Sequence, residues 1–83
     1  MARSVKLYSL STCVHCRATK KLLDEHNVEY DWTDVDLLDT VDKAAAVAEV
    51  KRLNPRCSFP TLLIDDLVIV GYREEVIKEA LQA

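Results

Sequence analysis

The chain has 83 residues, 49% hydrophobic and 30% charged, with a formal net charge of −3. That length bounds it to a single domain, 1–83, with a small core, and the acidic balance excludes the basic footprint of a nucleic-acid binder. No apolar run approaches the roughly 20 residues of a membrane-spanning helix, and residues 1–10 lack the apolar region and cleavage site of a signal peptide. Three cysteines are an odd number, which argues against a secreted disulfide scaffold and fits a reducing cytoplasm.

In chain order, Val5 to Ser9 is short and β-inclined and reads as a first strand. Ser11-Thr12-Cys13-Val14-His15-Cys16-Arg17 follows, and Arg17 to His26 reads as a helix. Ser11 or Thr12 can cap it through a side-chain oxygen. Val14, Ala18, Leu22 and Leu23 recur at helical spacing and are expected to face the core. Asn27 is a C-terminal stop signal. Val28 to Val35 alternates apolar and polar residues, as a strand with one covered face does, with Trp32 packing on a helix as Tyr8 does from the first strand.

The aspartates 34, 36, 39 and 42 form an acidic stretch, read as charges complementing the dipole of the helix that follows. Asp39 or Thr40 caps that helix, its alanines favour it, and it runs to about Leu53 before Asn54-Pro55 ends it. Thr61 to Ile64 is nearly all apolar and should be a central strand. Asp65-Asp66 is a tight turn into Leu67 to Val70, and a last helix spans Glu74 to Leu81 with Val76, Ile77, Ala80 and Leu81 inward. The order β-α-β-α-β-β-α implies an α/β fold with a four-stranded mixed sheet flanked by helices.

Chemistry concentrates in Cys13-x-x-Cys16. A cysteine pair at a strand-to-helix junction reads as a dithiol redox site, because unpaired N–H groups and positive partial charge at a helix start stabilise a thiolate. Cys13, nearer the helix start, is the expected nucleophile, and Cys16, one turn in, the resolving thiol. A zinc half-site would need further ligands from Cys57, His15 or His26, and no second knuckle exists. His15 has two readings: a cation that tunes the Cys13 thiolate, or a solvated side chain at a helix start. His26 reads as a helix-end surface residue. Cys57 reads as a buried small hydrophobe, a regulatory thiol or a third participant near the dithiol.

The element order, the C-x-x-C position and Ser58-Phe59-Pro60 together resemble the glutaredoxin branch of the thioredoxin-like superfamily, over nearly the whole chain. The resemblance implies a cis bond at Pro60 facing the dithiol, leaving the Phe59 backbone free to pair with an incoming peptide or glutathione. It places substrate or glutathione contacts at Thr12, Arg56, Ser58, Phe59, Pro60, Gly71, Tyr72 and Arg73. Arg56 favours glutathione as co-substrate. Leu10, where glutathione-dependent members carry lysine, and Val70-Gly71-Tyr72-Arg73-Glu74, where they carry Gly-Gly-x-Asp-Asp, do not. Cys13-Val14-x-Cys16, Ala18-Thr19-Lys20 and Gly71-Tyr72-Arg73 resemble instead the glutaredoxin-like redoxins that serve ribonucleotide reductase and draw electrons from thioredoxin reductase. The implied activity is thiol–disulfide exchange on protein or glutathione mixed disulfides by a cytoplasmic monomer without an organic cofactor. The alternative is a [2Fe–2S] carrier, a use that goes with a single-cysteine site.

Overall fold

Alternation along the first strand sets the two faces of the sheet. In β1 (Val5–Ser9) Val5, Leu7 and Ser9 are buried, while Lys6 and Tyr8 are partly exposed on the other side. The computed structural model describes residues 4–82. β1 runs parallel to β2 (Asp31–Asp34), with Leu7 opposite Trp32 and Ser9 opposite Asp34. On its other edge it runs antiparallel to β3 (Thr61–Ile64), with Leu7 opposite Leu62 and Tyr8 opposite Thr61. β4 (Leu67–Val70) pairs antiparallel with β3, through a turn in which Asp65 takes φ 52°. The order is β2-β1-β3-β4, so β3 is internal, as its apolar composition requires.

One face is covered by α1 (Val14–Glu25) and α3 (Glu74–Gln82). Leu22 and Leu23 from α1 and Ile77 from α3 meet Val5, Leu7, Leu62, Ile64 and Ile69 from the sheet in one cluster. Each such side chain contributes about 1.5–3 kcal/mol on full burial. α2 (Thr40–Leu53) serves the other face, near Tyr8, whose hydroxyl feels Glu49 and Arg52. Only Val50 is fully buried on it, so its alanines supply helix propensity rather than core.

The helix ends obey local signals. Asn27, at φ 55°, closes α1: its N–H donates to the Asp24 carbonyl at 3.1 Å, and Val28 N–H donates to Leu23 at 3.0 Å. The Asp39 carboxylate accepts the Asp42 N–H at 2.8 Å and caps α2, which ends at Asn54.

Several expectations are corrected. α1 begins at Val14, not Arg17, and neither Ser11 nor Thr12 caps it; the cap position is Cys13, with no side-chain cap bond. Its inward stripe is Cys16, Thr19, Leu22 and Leu23, whereas Val14 is 72% exposed. At about 100° per residue, Val14 falls on the far side of the helix from that stripe. β2 is shorter than Val28–Val35, because Val28 and Tyr30 pack against the core from a loop and Val35 opens a 3₁₀ turn (Val35–Leu37). Trp32 is on the strand but 53% exposed, as β2 is the sheet edge, and Val76 is likewise turned outward beside the fully buried Ile77.

Candidate active site

The chain leaves β1 at Ser9 and must turn into α1 within four residues. The turn is pinned from outside: Ser11 donates to the Asp36 carboxylate from its amide at 2.9 Å and from its hydroxyl at 2.5 Å. Arg17 adds a contact from its guanidinium to the Ser11 carbonyl at 3.4 Å, and Cys13 N–H donates to the Leu10 carbonyl at 3.2 Å. Cys13 is thereby held at the N-cap with extended backbone, partly exposed, while Cys16 is completely buried one turn in.

The two thiols sit in opposed environments. Burial acts to raise the Cys13 pKa, but the backbone N–H of Cys16, its thiol and the backbone N–H of His15 outweigh it, and the net shift is downward. Burial pushes Cys16 up to about 11, against a Leu10 N–H that donates to its sulfur at 3.4 Å, and with the Cys13 sulfur adding to the rise. This is the donor-rich helix start expected to favour a thiolate, working on one cysteine and not on the other.

Beneath the dithiol is a polar cluster that sequence reading missed. Asp34, opposite Ser9 in the strand register, accepts the Ser9 hydroxyl at 2.5 Å and the Lys20 ammonium at 2.9 Å. Lys20 also lies 4.2 Å from the centroid of the Trp32 ring, a contact that adds about 0.5–2 kcal/mol depending on desolvation. Asp34 and Asp36 are therefore tethers of the dithiol end rather than helix-dipole charges; that reading holds for Asp39 and Asp42, in the cap and first turn of α2. The acidic stretch was the available signal, but nothing local says where each carboxylate points.

Across the sheet, the Phe59–Pro60 peptide is cis. Since Tyr8 pairs with Thr61, Pro60 lies at the level of Ser9, at the same end of the sheet as the dithiol. Its segment is organised by Asn54, which is 4% exposed. The Asn54 amide donates to the Ser58 carbonyl, the Ser58 hydroxyl and the Thr61 hydroxyl at 3.0–3.3 Å, and its Oδ1 accepts the Arg56 N–H at 3.2 Å. Among the described residues nothing hydrogen-bonds to the Phe59 backbone.

The remaining residues singled out in the sequence divide by position. Gly71, at φ 83°, donates its N–H to the Pro60 carbonyl at 2.9 Å, so Gly71, Tyr72 and Arg73 leave the sheet beside that proline. Tyr72 packs partly on the core, and the exposed Arg73 opens α3, its carbonyl accepting the Ile77 N–H. Thr12 and His15 are exposed, as is Arg56, on the turn after α2. Cys57 is partly exposed at φ 50°, its N–H given to Asn54. Among the described residues no three His, Cys, Asp or Glu side chains converge as a metal site would require. A hollow of about 590 Å³, bordered by Asn27, Tyr30, Asp31 and Leu81, lies at the opposite end of the sheet, away from the thiols.

A partly exposed thiol of lowered pKa, backed by a buried partner at a strand-to-helix turn of this mixed sheet, defines a thiol–disulfide oxidoreductase of thioredoxin-like fold. Comparison with known proteins narrows the class. The glutaredoxin family model matches residues 5–69. A methanoredoxin crystal structure from Methanosarcina acetivorans superposes with a TM-score of 0.92 at 44% identity, covering 96% of this chain and 85% of that one. An uncharacterized glutaredoxin-like 8.6 kDa protein of the rubredoxin operon of Clostridium pasteurianum is 30% identical over 94% of this chain and 97% of its own length. The glutaredoxin-like protein NrdH of Salmonella typhimurium is 27% identical, over 89% and 84%. The chain belongs to the glutaredoxin family.

Proposed function

We propose that the protein reduces disulfides by a two-thiol route in which Cys13 attacks and Cys16 resolves. The observation that carries this is the asymmetry of the pair: one thiol partly exposed with its pKa lowered, the other buried with its pKa raised. The Cys13 thiolate attacks a substrate sulfur, forming a mixed disulfide and releasing the other substrate sulfur as a thiolate. Cys16 then attacks the Cys13 sulfur, closing the internal disulfide and releasing the second. An external reductant returns the pair to the dithiol.

The free Phe59 backbone beside Pro60 supports an extended segment as the bound substrate, added alongside the sheet end. Val14, three residues after Ser11, and Leu37, next to Asp36, are large apolar side chains left exposed by the segments that the Ser11–Asp36 tether joins, which favours a protein substrate over a small one. The likeness to NrdH proteins makes ribonucleotide reductase the first protein disulfide to try. Three cysteines, an odd number, suit a reducing cytoplasm, where we place it as a monomer.

The test is direct. Cys13→Ser should abolish disulfide reduction, and Cys16→Ser should trap a mixed disulfide with protein substrates; full activity in Cys13→Ser would sink the assignment. Supplying electrons either through glutathione and its reductase or through NADPH and thioredoxin reductase separates the two reductants. Turnover with glutathione alone makes Arg56 the first residue to vary, and turnover with thioredoxin reductase alone makes it Arg73.

A further inference from the structure

Resolution poses a difficulty that the fold must answer. Cys16 attacks as a thiolate, yet it is completely buried and its pKa is pushed up to about 11. Burial is the largest cause of that rise, and it remains when Cys13 is joined to substrate. Among the described residues, the ionisable groups that act on Cys16 are Cys13, which opposes its ionisation, and Lys20, which favours it. Once Cys13 is in a mixed disulfide its charge is gone, and the Leu10 N–H and the lysine are left to act against burial alone.

We propose that Lys20 is a positioning residue for the resolving step, its ammonium held beneath the dithiol by Asp34 and Trp32 so that Cys16 can ionise where it is buried. The proposal rests on the two-thiol reading above. Lys20 is one turn beyond Cys16 on the same side of α1. A lysine side chain is ordinarily mobile, but this one is gripped from two sides, by the Asp34 carboxylate at 2.9 Å and the Trp32 ring at 4.2 Å. Asp34 is itself fixed by the buried Ser9 hydroxyl. Among the described residues no other cation acts on Cys16: the β1 end offers the Leu10 N–H, and the Asp34 carboxylate of β2 is turned onto Lys20.

In the step itself Cys16 releases its proton to solvent, and its sulfur attacks the Cys13 sulfur. The Cys13–Cys16 bond forms, the bond from Cys13 to the substrate sulfur breaks, and that sulfur leaves with the electron pair and takes up a proton. Lys20 neither gives nor receives a proton. A higher Cys16 pKa lowers the thiolate fraction but makes each thiolate a stronger nucleophile, so a tenfold loss of thiolate leaves a net slowing of about threefold.

The test uses the reduced full-length chain carrying Cys57→Ser, mixed rapidly with 5,5′-dithiobis(2-nitrobenzoate). The first thionitrobenzoate is released in a phase that scales with reagent and reports Cys13. The second is released in a concentration-independent phase that reports Cys16. Lys20→Met should slow the second phase about threefold near neutral pH and leave the first unchanged, and Lys20→Arg should restore it. Lys20→Met/Asp34→Asn, which leaves no stranded carboxylate, should show the same loss. An unaltered second phase in Lys20→Met, equal slowing of both phases, failure of arginine to restore the rate, or full recovery in the double variant would each overturn the role of Lys20. Absence of either phase in the parent would instead overturn the reading of Cys13 and Cys16.

Discussion

On one face of the sheet, Leu7, Leu62 and Ile69 line up strand by strand and are packed by Leu23 of α1 and Ile77 of α3. On the other, α2 fully buries Val50 alone, and the chain after it is held by a few hydrogen bonds centred on the Asn54 amide. Both faces position half of the site. The packed face holds Cys16 through a helix that many nonpolar contacts share, so no single contact defines the sulfur's place. The hydrogen-bonded face holds Ser58 to Pro60 through few, directional contacts, so each one matters to where that segment lies. Stability and site geometry are thus carried unequally by the two sides.

The largest effect should come from the packed face. Leu23→Ala is expected to cost about 2–5 kcal/mol in urea unfolding, while the folded fraction keeps its reactivity at Cys13. Loss of Cys13 reactivity in fully folded Leu23→Ala would break the division between the faces. Asn54→Ala should cost less, about 1–3 kcal/mol. Its reduction rate should nevertheless fall by more than the unfolded fraction explains, because Ser58 and Thr61 lose their common donor. The variant that sharpens this is Val50→Ala on the same helix, which should lower stability and leave the rate of folded protein untouched.

The smallest effect concerns the Ser11–Asp36 tether, which lies on the surface. The Ser11 hydroxyl and then its amide hold the Asp36 carboxyl below the ordinary aspartate value. A carboxyl lowered on folding stabilises the fold above its unfolded pKa, and that contribution is lost as pH falls through the lowered value. Asp36→Asn should therefore melt slightly earlier than the parent near neutral pH, and the gap should close in acid. A gap that persists unchanged into acid would remove the charge from the explanation.

Much of this was legible in the sequence where the cause is local. The β1 strand, the apolar β3, the Asp65-Asp66 turn and the Asn27 stop each depend on residues within a few positions and stand as read, and of the two caps offered for α2 the structure uses Asp39. The start of α1 at Val14 is hard to read because its cap, Cys13, makes no side-chain bond, and the burial of Cys16 and Thr19 shows a stripe phase that Val14 does not share. Ser9, Asp34 and Lys20 are 14 and 25 residues apart in their contacts, so only the strand register joins them. Asn54 before Pro55 reads correctly as a helix end, but its side-chain role depends on a chain that folds back upon it. The dithiol itself was plain, since two cysteines at that spacing carry their own meaning.

Trp32 is the single tryptophan of the chain, and it stands at the sheet edge with one face on Lys20. All indole fluorescence therefore originates within a few side chains of the dithiol. Because the ring is already 53% exposed, its emission should change little in colour when the protein unfolds. It should respond in intensity when Cys13 and Cys16 join and the helix turn above Lys20 is redrawn. Emission spectra of the reduced and oxidised forms, set beside circular dichroism during melting, read these two behaviours separately. The molecule thus carries its own optical gauge of redox state, and a poor one of folding.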